Sequence, residues 1–540
     1  MLVLGALAAS AGCGKSTSSS PRMSPAGGAS DAGAAGDATP AGGVNSTAGG
    51  DSGDVPSAGV AAGAGGGAPP AAAAAGQPAA GEAGSPPLAP PTLLLRSVTI
   101  SQTLELPLMQ AGVAVAAADR PAPLVANKRA LLRAFVDLEP GFVARPLLGV
   151  LDLKTPERTR SLVSKITVGQ SSLQDDLTTT FVFNVDASDL KAASSYRVRV
   201  LEEDTTPIAL FPDADTGYLD LEAQTLPPFQ LVLVPFVSNG FGPKVGDEEV
   251  AALERRLLAL YPSTDFQVTE KPPVTLGFVV NAAGDGWDQA LDEIYQERAT
   301  AAPAHDVFYF GMLAPDTSYS SYCASDCILG LSNIADRGDV DSRGSIGVTV
   351  FQDGSGTKVA WDTVAHELGH ALGRDHAPCG LDDPDPNYPY PTGGLGGIYG
   401  YDFDLLKLIK PKPYRDVMSY CTPVWISDYT YRGIFERLDY IGSEAFRTLA
   451  FAPSEPFRLA RIRRTGESLW LGERQRHGSA EAQIIDLLDG AGQRVASVSA
   501  QVTHLDHAPG GYVWLPAREL GQSGAASVDL RPLGGSVLPL

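Results

Sequence analysis

Between His366 and His376 the chain reads HELGHALGRDH, and few stretches of eleven residues restrict a fold as tightly. On a helix, His366 and His370 stand four residues apart and project from one face, so their imidazole nitrogens can reach a single zinc ion. Glu367 then falls beside the metal without joining the ligand set, where it can accept a proton from an activated water. Gly373 lacks a Cβ and tolerates a positive φ, so the helix can end in a sharp turn that brings back His376 as a third ligand. Three nitrogens leave one tetrahedral position open, which separates a catalytic zinc site from a closed structural one. The chain has seven histidines in 540 residues, and three of them sit at these spaced positions, which argues against ordinary core histidines on an ordinary helix.

The full pattern, HExxHxxGxxH, resembles the signature of the metzincin clan of zinc endopeptidases. Downstream, Asp416-Val417-Met418-Ser419-Tyr420 resembles the clan's Met-containing turn. The resemblance covers roughly 227–445, with its specific motifs confined to 366–376 and 416–421. It implies one catalytic Zn2+ on His366, His370 and His376, with Glu367 as general base and a protein or peptide as substrate. It also implies that Met418 forms an apolar floor under the ligands. Tyr420, two residues after the methionine as in astacin- and serralysin-type enzymes, would be a catalytic phenol that reaches the metal or stabilises the oxyanion.

The net charge of −22 disfavours nucleic acid and anionic membrane surfaces as partners. Residues 1–13, an apolar run ending at Cys13, are similar to a bacterial lipoprotein signal peptide, with Cys13 as the lipidated residue; a plain secretory signal is the other reading. Membrane contact would then be confined to that anchor, and the protein would be exported, to the cell envelope or the extracellular space. The overlapping octet ASAGCGKS, 9–16, satisfies a loose phosphate-loop pattern but is followed by Ser- and Pro-rich chain that cannot start the required helix. Residues 14–92 are mostly Ala, Gly, Ser and Pro without apolar periodicity, the composition of a disordered linker.

Order is expected from Leu93 onward, and the fold class is α+β and multidomain. Short alternating runs between turns predict an immunoglobulin-like β-sandwich over 93–226. From 227 to 445 the period changes. Phe229 to Val237 reads as a buried strand, Val250, Leu253, Leu257 and Leu260 recur at helical spacing, and Val274 to Val280 reads as a further strand. A helix bearing Trp287, Leu291 and Ile294 and a strand from Asp306 to Leu313 complete the order that a metzincin-like α/β catalytic domain presents before its zinc helix. The segment Ser345 to Phe351 is either the edge strand that the resemblance places against substrate or an internal strand. The zinc helix is predicted over Thr357 to Leu372, and a closing helix from Tyr429 to Leu438, capped by Ser427 or Asp428. Strand-like runs return over 454–540 as a second β-sandwich-like domain, in which His504 and His507 read as surface histidines.

Asp382, Asp383, Asp385 and Asn387 offer oxygen ligands for a possible structural Ca2+, although their proline-broken spacing fits no EF-hand and equally describes a solvated turn. Cys323, Cys327, Cys379 and Cys421 allow three pairings. Position favours Cys379–Cys421, each three residues past a landmark of the zinc site, with Cys323–Cys327 closing a small loop; four reduced thiols or a second zinc site are the alternatives. Two other functions stay open: a surface adhesin or glycan-binding protein with a vestigial peptidase domain, and a zinc hydrolase acting on a non-peptide bond.

Overall fold

The computed structural model describes residues 92–202, 207–213, 217–450, 456–506 and 510–540. Cys13, the apolar start around it, the low-complexity stretch up to residue 91 and His507 lie outside the described residues. The protein is mixed α+β, with more strand than helix and several separate sheets.

The N-terminal region forms two five-stranded antiparallel sheets. One carries Leu93–Ser101 at its centre, and the other Arg145–Lys154 and Ser195–Leu201. They pack face to face closely enough that a Cβ at Gly149 would strike Phe181 of the opposite sheet.

The site is built on a six-stranded sheet. In chain order its elements are β1 (Phe229–Val237), α1 (Asp247–Leu260), β2 (Phe266–Glu270), α2 (Trp287–Ala301), β3 (Val307–Leu313), β4 (Gly330–Ser332) and β5 (Gly344–Val348). The main order is β2-β1-β3-β5-β4, with Val274–Thr275 also on β1. The first four are mutually parallel, whereas β4 runs antiparallel to β5. Every residue of β3 and β5 is buried, as expected of central parallel strands covered on both faces. The Ser345 to Phe351 segment is therefore internal, and the edge beside the site is the three-residue β4. The expected strand from Val274 to Val280 shrinks to Val274–Thr275, since Gly277 and the turn that follows leave the ladder.

Helix α3 (Thr357–Ala371) packs over β4 and β5, burying Trp361, Val364, Ala365 and Leu368. Helix α4 (Asp428–Gly442) closes the region; the Ser427 hydroxyl accepts from Thr430 N at 3.2 Å and so caps it. The C-terminal strands β6 (Pro456–Ile462), β7 (Ser468–Gln475), β8 (Glu481–Leu488), β9 (Arg494–His504) and β10 (Gly511–Pro516) belong to one seven-stranded antiparallel sheet. The β-sandwich expected there is instead a single continuous ladder, because β6 bridges β7 to β10, and β9 bridges β10 to β8.

Candidate metal centre

Helix α3 carries His366, Glu367 and His370 into the interior, and all three are buried. At its end Gly373 adopts φ +76°, with its N–H donating to His370 O at 2.7 Å and Arg374 N donating to Gly369 O at 2.9 Å. This is the helix stop that the sequence required of a glycine, and a Cβ there would lie 2.6 Å from Ala335 O. The turn delivers His376, also buried, against the helix.

The Nε2 atom of His370 stands 3.1 Å from that of His366 and 3.1 Å from that of His376. On the far side of the rings, His366 Nδ1 lies 2.8 Å from Val417 O and His370 Nδ1 lies 2.6 Å from Arg374 O. A carbonyl can only accept, so in both rings Nδ1 carries the proton and Nε2 presents its lone pair. Lone pairs this close repel unless a cation stands between them, and ligands on a zinc with bonds of about 2.0–2.1 Å lie at comparable separations from one another. The donor set therefore fits a metal ion, consistent with zinc.

The Met-turn is fastened beneath. Asp416 is fully buried; its Oδ1 accepts from Met418 N at 2.8 Å and its Oδ2 from Ser427 N at 2.7 Å, so one carboxylate ties the turn to the cap of α4. Met418 is buried against Gly369, where a Cβ would collide with its sulfur. Ala377 N donates to Met418 O at 3.0 Å and Tyr420 N to Cys379 O at 3.1 Å, stitching the chain after His376 to the turn. Cys379 and Cys421 are joined there, Cα atoms 5.8 Å apart, and Cys323 is joined to Cys327 with Cα atoms 5.3 Å apart. The Tyr420 ring stands edge-on to His376 with centroids 5.1 Å apart, and 6.0 Å from the His366 ring.

Burial pushes the Glu367 carboxyl up to about 8, while a hydrogen bond with Asp506 opposes the shift. That partner comes from the C-terminal sheet, and Asp506 Oδ2 also lies 3.5 Å from His370 Nε2. Sequence reasoning passed over Asp506, since nothing local distinguishes it. Its placement depends on a pairing between β4 and a turn some 170 residues later.

Asp382, Asp383 and Asp385 do not gather into a cation site among the described residues. Asp385 is committed elsewhere: Oδ1 accepts from Asn387 N at 2.8 Å and Oδ2 from the Tyr429 hydroxyl at 2.7 Å. The suggested calcium site therefore has no support, and the segment is an Asx-type turn with a tyrosine partner.

Residues 341–422 match the profile of the Peptidase M66 family. The matched stretch runs from just before β5 through α3 and all three histidines to the end of the Met-turn, and it supports a metallopeptidase-type function. No curated protein matches the chain. Among solved structures, a calcium-binding mutant of Bacteroides uniformis beta-glucuronidase 2 aligns at 10% identity and a TM-score of 0.15, over 41% of this chain and 29% of that one. A likeness so slight carries no argument about fold or function. Two joined cysteine pairs suit an oxidising, non-cytoplasmic setting, and among the described residues no helix is long and apolar enough to cross a membrane.

Proposed function

We propose that the protein is a zinc-dependent endopeptidase that hydrolyses peptide bonds of extracellular or surface proteins, exported and tethered through Cys13. In this reading 227–445 is the metzincin-like catalytic domain, between β-domains at 93–226 and 454–540. The observation that carries it is the convergence of three Nε2 atoms, with that of His370 3.1 Å from each of the other two and with the His366 and His370 rings oriented by backbone carbonyls.

His366, His370 and His376 would hold the ion, which when bound supplies Lewis acidity and a water of lowered pKa. Glu367, one residue along the helix from His366, takes the proton of the attacking water and passes it to the leaving amine. Tyr420, against His366 and His376, supplies a phenol that can donate to the oxyanion as the carbonyl becomes tetrahedral. Met418 and the Cys379–Cys421 link keep the histidines at their spacing, Met418 from beneath Gly369 and the link through the loop that carries His376.

The test compares Glu367→Ala and His370→Ala in the full chain, with zinc content and cleavage of a peptide library measured in parallel. Glu367→Ala should keep stoichiometric zinc and lose peptide hydrolysis by roughly three orders of magnitude or more. His370→Ala should lose both. Stoichiometric zinc in His370→Ala, or near-normal turnover in Glu367→Ala, would refute the assignment.

A further inference from the structure

Strand β4 is the edge of the central sheet, and an edge strand offers its outer backbone to any extended peptide that can pair with it. It also borders the candidate metal centre: a Cβ on Gly330 would strike the Glu367 carboxylate. The chain's own C-terminal sheet occupies this edge. At the end of β9, Leu505 stands antiparallel and opposite Asn333. The pair is bracketed by two backbone hydrogen bonds, Ile334 N to His504 O at 3.0 Å and Asp506 N to Ser332 O at 3.1 Å.

The side chains continue the engagement. Leu505 is buried in the same apolar cluster as Leu331 and Ile346. Asp506 Oδ2 accepts from Ser332 N at 3.1 Å, lies 3.5 Å from His370 Nε2, and its carboxyl is hydrogen-bonded to Glu367. The side chains of His370 and Asp506 have no exposure to solvent. A residue that only oriented Glu367 would need to contribute no more than its carboxyl. Here main chain and side chain together fill the position that a peptide would take on β4, and they cover the general base as well.

We propose that His504–Asp506 is a built-in strap that occupies the substrate edge of the cleft, so that a peptide reaches Glu367 and the metal only after the strap has left β4. This rests on the zinc-peptidase reading of the site. The strap lies outside the segment that matches the peptidase family, so it is a property of this chain's C-terminal sheet.

Two variants of the full chain test it, each loaded with zinc and measured by zinc content, by turnover of a short fluorogenic peptide and by affinity for a peptide hydroxamate, which chelates zinc through two oxygens. Asp506→Ala loosens the strap. It should raise peptide turnover several-fold and tighten the hydroxamate by about tenfold or more, the scale of one charge-assisted hydrogen bond. Asn333→Cys with Leu505→Cys locks it, because directly opposite residues of an antiparallel pair lie within disulfide range. The oxidised form should lose turnover and hydroxamate binding, and mild reductant should restore both while leaving the wild type, treated alike, unchanged.

If Asp506→Ala lowers turnover and leaves hydroxamate affinity unchanged, Asp506 is a positioning residue and the strap is refuted. A locked form as active as the reduced one refutes the strap equally. A wild type that takes up no zinc would sink the site reading itself, an outcome distinct from zinc-loaded protein whose variants bind hydroxamate equally.

Discussion

At the scale of single residues, the candidate centre is built of side chains whose placement follows from spacing and of others placed by where the fold carries them. His366, Glu367 and His370 were legible because a helix fixes which residues share a face, and His376 because a glycine at 373 announces a turn. Tyr420 needed the resemblance to be noticed, and its ring does stand against two of the three histidines. With a phenol donating to the oxyanion, Tyr420→Phe should lower kcat by roughly 10²-fold while zinc content stays at one per chain. Steady-state kinetics beside metal analysis decide this, and an unchanged kcat would reduce Tyr420 to a packing residue. Ser332 and Asp506 carried no signal, because a serine in a three-residue strand and an aspartate in a turn are common everywhere.

At the scale of elements, long periodic segments were readable and short or polar ones were not. Helices α1, α2 and α3 announce themselves through apolar residues at helical spacing, and β3 through an unbroken apolar run. Strand β2, FQVTE, alternates for only two apolar residues, Phe266 and Val268, at a sheet edge, too short a run to stand out; β4 is too short to have a period. The loop after His376 and the Met-turn hold each other through three backbone bonds (Ala377 N to Met418 O, Tyr420 N to Cys379 O and Asp416 N to Gly393 O) and the Cys379–Cys421 link. Replacing both cysteines by serine should therefore cost about 2–4 kcal/mol of stability. The more telling effect is on the metal: zinc should pass to a chelator faster, because His376 sits three residues before Cys379. Equal rates of zinc loss in the variant and the wild type would show that the hydrogen bonds alone fix the third ligand.

At the scale of the whole molecule, the sequence reads as domains on a string, whereas the packing joins them. One apolar cluster runs from the N-terminal sheets through α1 and α3 to α4. On the other side, buried Arg461 meets Asp288 at 2.9 Å and Asp292 at 3.1 Å, and buried Arg476 meets Asp339 at 3.0 Å, fixing the C-terminal sheet to the central one. Composition cannot disclose such pairings, since each partner alone looks like a surface charge. The N-terminal sheets add a buried lysine: Lys128 Nζ donates to Leu258 O at 2.8 Å and Tyr261 O at 2.5 Å, at the C-terminal end of α1. Burial pushes this ammonium down to about 7, with neighbouring Arg129 adding to the effect. In the unfolded chain a lysine titrates near 10.4. Between those two values the unfolded state binds the extra proton, so stability rises with pH across that window, and below about 7 the penalty for burying the charge is fully present. Lys128→Met removes the titrating group. The melting temperature of the wild type relative to this variant should therefore climb from pH 7 to pH 9 in scanning calorimetry. A difference that stays constant across that range would mean that the two carbonyls stabilise the ammonium enough to cancel the cost of its burial.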